Sequence, residues 1–430
     1  MTAGFPNRAA LEAHQLARLR ALLTAIVPAN PFYTRKLESL TAPQAIRDLA
    51  EFRALVPFTT KAELAADHLE HPPYGSNHTF PLERYTRCHQ TSGSSGQPMR
   101  WLDTNESWSG LLDQWSEIYR EARVTAADHI FFAFSFGPFL GFWTAFESAL
   151  RIGCLCIPGG GMSSATRLRA LLANQATVLC CTPTYALRLA EVAREEGVAL
   201  AESKVRLIVV AGEPGGSVPA IRNAIATAWN GARVFDHHGM TEVGPVSHES
   251  YDRPGTVRIL ESAYLAEVIQ PDTGEPVAPG QTGELVLTTL NRTACPLLRY
   301  RTGDLVRALP PEQNPPGIAE LCLDGGIIGR VDDMVLARGV NVYPAAVEQI
   351  VHECGGVNEY QVRIREERSL TELEVIVEAA DPAEEVRTRL EKLLRERLTL
   401  RIPVTLAAAG SLPRFEMKAR RWVRVEPTSP

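Results

Sequence analysis

Residues 177–210 read TVLCCTPTYALRLAEVAREEGVALAESKVRLIVV, and this stretch decides the fold class. It begins and ends with a short apolar run, and the residues between the two runs are numerous enough for a helix. Two apolar runs joined in this way are typical of neighbouring parallel strands, because parallel strands need a long crossover connection. The stretch therefore predicts a βαβ unit.

The same alternation continues on both sides of this stretch. Further apolar runs cover residues 130–134, 153–157 and 233–236, and residues 219–229 supply another connection of helical length. This order predicts a parallel sheet covered by helices on both faces, with ligands bound beyond the carboxyl ends of its strands. We expect a large N-terminal α/β domain over residues 1–330.

Beyond about residue 255 the pattern becomes rich in β-strands. Residues 263–269 and 284–290 alternate with a period of two and are separated by turn signals at 271–274 and 279–280. A packed β-rich subdomain is therefore predicted after the parallel sheet.

The last hundred residues have a complete pattern of their own. Pro344 stands at a predicted helix start, strands are predicted at 360–364 and 373–377, and a helix is predicted at 383–398. This pattern predicts a small C-terminal α+β domain over residues 331–430.

Composition and charge exclude several classes of partner. The 430 residues are 45% hydrophobic and 22% charged, and the net charge of −6 gives no general attraction to nucleic acid or to an anionic membrane. No uninterrupted apolar stretch reaches membrane-spanning length, and the N-terminus has no basic start followed by an apolar run. We expect a cytoplasmic protein. None of the eight cysteines stands in a CxxC pair, which argues against a disulfide framework and a zinc finger.

Small hydroxylated residues and turn formers make up the run TSGSSGQP at residues 91–98. Backbone amides of such a loop can surround phosphate oxygens, because glycine accepts positive φ angles and close approach. The run lacks the Gly-Lys-Ser/Thr ending of a Walker A loop, since Gln97 follows Gly96, and it is no GxGxxG turn. Taken alone, a run of this kind is more often a solvated turn.

Four further segments bear on the function of this loop. They are HHGMTE at 237–242, YRTGDL at 300–305, GRVDDMVLARGVNVYP at 329–344 and LPRFEMKAR at 412–420. Their order and spacing, together with the loop, resemble the adenylate-forming superfamily of acyl-CoA ligases, condensation-enzyme adenylation domains and luciferases. The resemblance covers the whole chain. PFYTRKL at 31–37, PFTTKAEL at 57–64 and AGEP at 211–214 look most like the phenylacetate-CoA ligase branch.

This resemblance implies a two-step reaction. A small-molecule carboxylic acid, expected to be an aryl acid, attacks the α-phosphate of ATP and gives an acyl-adenylate and pyrophosphate; the thiol of coenzyme A then displaces AMP. Spreading the charge of the phosphoryl group calls for Mg²⁺, a cation and positioned donors. Two alternatives stay open: transfer to a carrier-protein thiol or an amine, and a nucleotide-binding regulatory protein with a degenerate site. A homodimer also stays open.

The resemblance also implies roles for individual residues. The catalytic residues are Lys418, Thr241 and Glu242, and Glu242 also holds Mg²⁺. The small domain is expected to be mobile, with its hinge at Asp332, and the coenzyme A side is formed by Arg338, Gly339 and Asn341. The acyl substrate is expected at Ser135, Phe136, Gly137, Ala211, His237 and Gly239. The ATP-binding residues are Thr91, Ser92, Gly93, Ser94, Ser95, Gly96, Gly212, Glu213, Pro214, Asp236, His237, His238, Gly239, Asp304 and Arg330.

Several of these residues also have a plain structural interpretation. Lys418 stands among arginines, where a solvated basic strand would look the same, and the aspartate of a Gly-Asp turn such as Asp304 is usually a turn cap. Phe136 is equally acceptable as core, and one of His237 and His238 is expected to be a satisfied core histidine.

The sequence departs from its relatives at a structural zinc site. The places of three metal ligands look like Ser250, Val257 and Pro316, with His248 and Cys322 nearby. Because a structural zinc needs four good donors, these residues argue against such a metal.

Overall fold

The computed structural model describes residues 4–40, 42–91, 98–338, 340–367, 370–415 and 419–425. Within these residues the helices α1–α11 cover Arg8–Ile26, Pro31–Lys36, Leu49–Leu55, Lys61–Glu70, Asn105–Glu121, Leu140–Ile152, Ser164–Ala173, Pro183–Glu195, Pro219–Ala228, Pro344–Cys354 and Ala383–Leu398. Short 3-10 helices lie at Pro43–Ala45, Leu82–Arg84, Leu200–Glu202 and Pro311–Gln313. The strands β1–β19 cover Tyr85–Gln90, Arg100–Thr104, His129–Phe132, Leu155–Pro158, Val178–Cys181, Leu207–Val210, Arg233–Met240, Gly244–Ser250, Arg253–Ile259, Tyr264–Ile269, Thr282–Thr289, Tyr300–Ala308, Cys322–Arg330, Val335–Ala337, Val340–Val342, Val357–Glu367, Leu370–Ala379, Val404–Leu406 and Trp422–Arg424.

One large sheet dominates the first 330 residues, and the predicted α/β fold class is confirmed. Its eleven strands, all formed by described residues, have the order β10-β11-β12-β13-β9-β8-β7-β6-β5-β3-β4. The part from β4 to β7 is parallel, as the alternation of apolar runs and helices predicts. The remaining strands pair in the antiparallel sense.

The strand β7 joins the two parts of the sheet. Its first half, from Arg233 to Asp236, pairs in parallel with β6, and its second half, from His237 to Met240, pairs antiparallel with β8. The β-rich part therefore begins at Gly244, earlier than the predicted residue 255, and it extends the parallel sheet instead of forming a separate layer.

Helices cover both faces of the parallel part, because successive strand residues point to opposite faces. Phe132 of β3 belongs to the core under α6, while Phe131 belongs to the core under α7, α8 and α9. The chain runs from β3 out to β4 and then back past β3 to β5. A change of direction of this kind marks the crevice at the carboxyl ends of the strands in which α/β proteins bind their ligands.

The C-terminal residues form a second, smaller layer of helices and strands. A four-stranded sheet in the order β18-β17-β16-β19 packs against α10 and α11 around its own apolar core. Helix α11 has the predicted bounds and buries Val386, Leu390 and Leu394, with Leu393 partly buried. In the described part of the chain, no helix is long and apolar enough to cross a lipid bilayer.

Candidate active site

Thr241 and Glu242 lie in the tight turn between β7 and β8, where the parallel part of the sheet ends. The turn needs a glycine at position 239, because a Cβ atom there would lie 2.9 Å from the carbonyl oxygen of Gly244 and 3.2 Å from the Cα of Pro245. The HHGMTE segment is thus a strand end followed by a turn that presents Thr241 and Glu242 at the crevice.

Asp304 is buried and lies between the imidazole ring of His238 and the guanidinium group of Arg330. Its Oδ2 accepts a 3.0 Å hydrogen bond from Nε2 of His238, and its Oδ1 accepts a 2.5 Å hydrogen bond from Nη1 of Arg330. Asp304 and Arg330 face each other across β12 and β13, while His238 comes from β7. Three motifs far apart in sequence therefore meet at one carboxylate.

The carboxyl group of Glu242 is buried close to this cluster. Burial raises the pKa of Glu242, while the nearby charges of Lys61 and Arg330 act in the opposite direction. A buried carboxylate gains from a bound cation, because the cation offsets the loss of hydration. Glu242 therefore fits a divalent metal ion. Lys61, which lies in the PFTTKAEL segment, was not among the predicted site residues.

The turn that carries Thr241 and Glu242 is held by a buried ion pair that the sequence reading missed. Arg292 is 2% exposed, and its guanidinium pairs with both carboxylate oxygens of Asp103 at 2.9 and 2.6 Å. Its Nη1 also donates to the carbonyl oxygens of Thr241, at 2.9 Å, and Glu242, at 2.8 Å. Arg292 stands outside every motif quoted above, so no local signal pointed to it.

The AGEP segment follows β6 and borders the same crevice. Gly212 has a φ of +94°, which explains the need for glycine there. At the neighbouring strand end, burial raises the pKa of Asp236 to about 6, and Ser217 Oγ donates a 2.5 Å hydrogen bond to its carboxylate. The carboxylate of Glu213 accepts hydrogen bonds from the backbone N–H groups of Thr184 and Ala419.

The two histidines of HHGMTE have different surroundings. His237 is buried, its Nδ1 donates a 2.8 Å hydrogen bond to the carbonyl oxygen of Ser247, and its ring lies 4.4 Å from the ring of Trp115. Burial lowers the pKa of His237 to about 3, so the ring is neutral at pH 7. His237 thus has the contacts of a satisfied core histidine, whereas His238 contacts Asp304.

Aromatic rings surround the chain where β3 ends. Phe136 lies within 5.0 Å of the Trp143 ring and 5.2 Å of the Phe146 ring, and Phe134 stacks on Phe142 at 4.2 Å. Ser135 is exposed, Gly137 is half-buried, and the carbonyl oxygen of Gly137 accepts a hydrogen bond from the Trp143 indole. Phe136 is therefore half-buried in an aromatic cluster at the crevice.

The predicted phosphate loop connects β1 and β2, which form an antiparallel hairpin. The N–H of Thr91 donates to the carbonyl oxygen of Met99 at 3.0 Å, and the Thr91 hydroxyl accepts from the N–H of Met99 at 3.1 Å. Gln90 also donates to the carbonyl oxygen of Pro138, which joins the hairpin to the segment after β3. The remaining site residues of the loop, with two others from the C-terminal motifs, lie outside the described residues: Ser92, Gly93, Ser94, Ser95, Gly96, Gly339 and Lys418.

The elements α1 to β13 form the large body of the structure, and the elements β14 to β19 form its small body. The predicted hinge lies where the two bodies meet, and the predicted coenzyme A residues lie on the small body. Asp332 is exposed directly after β13, and its neighbour Val331 donates a 2.7 Å hydrogen bond to the carbonyl oxygen of Gly303. Arg338 follows β14 and pairs with Glu372 at 2.6 Å, while Asn341 is exposed on β15. Asp332 thus touches the Asp304 cluster, because its Oδ2 lies 3.5 Å from Nη2 of Arg330.

Comparison with known proteins relates both parts of the chain to AMP-binding enzymes. Residues 89–292 match the model of the AMP-binding enzyme family, and residues 339–424 match that of the AMP-binding enzyme C-terminal domain. A phenylacetate-coenzyme A ligase from Thermus thermophilus is 32% identical over 433 aligned positions, which cover 95% of this chain and 95% of the relative.

Two crystal structures of one similar enzyme differ in how well they superpose on this chain. A 2-hydroxyisobutyryl-CoA ligase in the postadenylation state matches with a TM-score of 0.92 at 28% identity, covering 98% of this chain and 91% of the other. The same enzyme in its thioesterification state matches with a TM-score of 0.74 at 29% identity, covering 99% and 91%. Since the enzyme is the same, the difference reflects its conformation, and this chain superposes better on the postadenylation structure than on the thioesterification structure.

Proposed function

Because the chain belongs to the phenylacetate-coenzyme A ligase family of AMP-binding enzymes, it is an AMP-forming acid–CoA ligase, and we propose which of its residues bind each substrate and act in each step. ATP and the acid give an acyl-adenylate and pyrophosphate, and coenzyme A then takes the acyl group and releases AMP. The observation that carries our assignment is the convergence of His238, Asp304 and Arg330 beside Glu242 at the crevice.

The nucleotide occupies this crevice in our proposal. Asp304 accepts hydrogen bonds from the ribose hydroxyls, and Arg330 is the second ribose contact, with His238 orienting the carboxylate through its 3.0 Å hydrogen bond. The backbone of Gly212–Pro214 and the strand end at 236–239 border the adenine. The loop at 91–96 surrounds the terminal phosphates through its amides and hydroxyls.

In our proposal a metal ion, Thr241 and Lys418 stabilise the negative charge of the phosphates. We assign Mg²⁺ to Glu242, whose buried carboxyl group gains from a cation, and the metal supplies electrostatic stabilisation of the phosphate oxygens. Thr241 donates to the α-phosphate from the same turn. Lys418 carries the positive charge that addresses the α-phosphate and the carboxylate of the acid together, for which a compact ammonium is suited.

We further propose that the acid is an aryl acid. The support is the aromatic cluster at the end of β3, where Phe136 is half-buried among Trp143 and Phe146 and is therefore placed to border an apolar ring. Ser135, Gly137, Ala211 and Gly239 contribute small residues and backbone to the same pocket, and the buried ring of His237 supports it from the core through its contact with Trp115.

Two domains alternate in this scheme, with residues 1–330 binding ATP and the acid and residues 331–430 carrying Lys418. Rotation about Asp332 removes the lysine after adenylation and brings the segment with Arg338, Gly339 and Asn341 towards coenzyme A. The support is the better superposition on a postadenylation state than on a thioesterification state. A carrier-protein or amine acceptor, a homodimer and a cytoplasmic location stay predictions.

The test is pyrophosphate exchange driven by a panel of aryl and short aliphatic acids. We expect Lys418→Ala to lose at least about a hundredfold in exchange, because one charge-stabilising group is removed from the transition state. Formation of thioester from separately prepared acyl-adenylate and coenzyme A should persist in this variant. Exchange at the parental rate would refute the lysine assignment, and equal rates with aliphatic acids would refute the aryl assignment.

A further inference from the structure

The carboxylate of Glu213 connects two distant parts of the chain. Its Oε1 accepts a 2.9 Å hydrogen bond from the backbone N–H of Thr184, and its Oε2 accepts a 3.1 Å hydrogen bond from the backbone N–H of Ala419. Thr184 lies in the first turn of α8, and Ala419 directly follows Lys418 in the sequence. One side chain therefore joins the large body to the segment that carries the proposed catalytic lysine.

The large body holds Glu213 in a defined position. First-turn N–H groups of a helix have no partner within the helix, and a carboxylate beside them is stabilised by the helix dipole. Thr182 caps α8 through the N–H of Tyr185, and Glu213 takes the neighbouring N–H of Thr184. The loop itself has little freedom, because a Cβ atom at Gly216 would lie 2.4 Å from Oδ1 of Asp236.

The small body holds the other end of the contact. Two residues after Ala419, the guanidinium of Arg421 donates to Glu359 at 2.6 Å and to Glu348 at 3.2 Å. Glu348 lies in α10 and Glu359 in β16, so both belong to the C-terminal core layer. The segment 419–421 is thus attached to the small body by Arg421 and to the large body by Glu213.

We propose that Glu213 is a positioning residue for adenylate formation, which docks the peptide that follows Lys418 and so sets where the lysine meets the α-phosphate. The inference rests on the proposed function of Lys418. Both carboxylate oxygens of Glu213 accept hydrogen bonds from backbone amides, which orients its side chain for docking while the backbone of its loop borders the nucleotide. Rotation of the small body separates Glu213 from Ala419 but leaves its contact with Thr184 intact. Glu213 therefore acts in the first half-reaction and is dispensable in the second.

The variant Glu213→Gln tests this role, because glutamine has the same shape but one of its two acceptor oxygens is replaced by a donor. We expect kcat for pyrophosphate exchange to fall about tenfold to a hundredfold, as for the loss of one hydrogen bond to a charged group. The KM for ATP and the rate of thioester formation from prepared acyl-adenylate should both stay within about twofold. Retained thioester formation also demonstrates that the variant is folded. Glu213→Asp keeps the charge but is one methylene shorter, so its exchange rate should lie between those of the parent and Glu213→Gln.

Two further variants separate the outcomes. Glu202→Gln removes an exposed carboxylate from the same body and should leave both half-reactions unchanged. An equal fall of both half-reactions in Glu213→Gln, or unchanged exchange, would overturn the docking role. A raised KM for ATP at unchanged kcat would overturn it too and make Glu213 an ATP ligand. If Lys418→Ala loses exchange while Glu213→Gln keeps it, only this inference fails; if Lys418→Ala keeps exchange, the proposed function fails as well.

Discussion

The buried pair of Arg292 and Asp103 holds the turn that carries Thr241 and Glu242. The guanidinium contacts both oxygens of Asp103 and the carbonyl oxygens of Thr241 and Glu242, so two positions 189 residues apart in sequence fix the orientation of a third segment. Both side chains are almost fully buried, at 2% and 0% exposure. A charge left alone in such a place is costly, because neither water nor a partner compensates it.

We therefore expect Arg292→Ala to lower the free energy of unfolding by about 3–5 kcal/mol, the usual effect of breaking a buried ion pair. Urea denaturation followed by circular dichroism measures this change. The matched control is Arg307→Ala, which removes an arginine from the exposed pair with Asp324 and should change stability by less than about 1 kcal/mol. Similar losses in the two variants would contradict a special role for the Arg292 pair.

At the scale of single elements, three neighbouring strands bring an arginine between His248 and Cys322, the two residues near the place where the resemblance implies a structural zinc. His248 of β8 and Cys322 of β13 each face Arg258 of the intervening strand β9. The Nη2 of Arg258 donates a 3.2 Å hydrogen bond to Nε2 of His248, whose Nδ1 donates to the carbonyl oxygen of Glu249. Because a guanidinium only donates and a carbonyl only accepts, His248 is neutral with its proton on Nδ1.

This arrangement predicts a loss of stability in acid. Burial and the nearby Arg258 lower the pKa of His248 to about 3, from an ordinary value of 6.5. Between these values the unfolded chain binds a proton that the folded chain does not, so the free energy of unfolding falls as the pH drops from about 6.5 towards 3 and is level above. Urea titrations at several pH values measure this slope.

The control for the acid prediction is His248→Gln, which removes the proton-binding group while keeping a polar side chain. We expect a smaller slope in this variant, although His237 with a lowered pKa of about 3 and His89 with one of about 4 act in the same direction. An unchanged slope would show that His248 is not the group that titrates.

At the scale of the whole molecule, our proposal requires the C-terminal part of the chain to turn two different surfaces towards one crevice. The present arrangement superposes with a TM-score of 0.92 on a postadenylation structure and 0.74 on a thioesterification structure. Changes of this size are absorbed by a few backbone dihedral angles at a hinge. Asp332 is exposed at the junction, with its neighbour Val331 hydrogen-bonded to Gly303.

We expect Asp332→Pro to uncouple the two half-reactions. Proline fixes φ near −65°, so the chain cannot take both of the backbone conformations that the two arrangements require. One half-reaction should fall by at least about tenfold while the other is kept, as measured by pyrophosphate exchange and by thioester formation from prepared adenylate. Asp332→Ala leaves φ free and should retain both. Parental rates in Asp332→Pro for both steps would contradict the hinge.

Much of the fold could be predicted from the chain alone, and the exceptions have physical reasons. The helix at Ala383–Leu398 and the helix start at Pro344 follow from periodicity and from the fixed φ of proline. The strand Gly244–Ser250 was missed because it carries polar side chains although it is buried on both faces. Glu249, fully buried in this strand, is paired with Arg222, so the alternation that signals a half-buried strand is absent.

The sequence by itself determined the family and the βαβ order, because motifs and periodicities are local properties of the chain. Only the tertiary structure decided that Arg292 supports the turn of Thr241 and Glu242 and that Glu213 reaches Ala419. The latter contact spans 206 positions. Such contacts depend on how separate elements pack, and no spacing along the chain records which loop a distant carboxylate or guanidinium will meet.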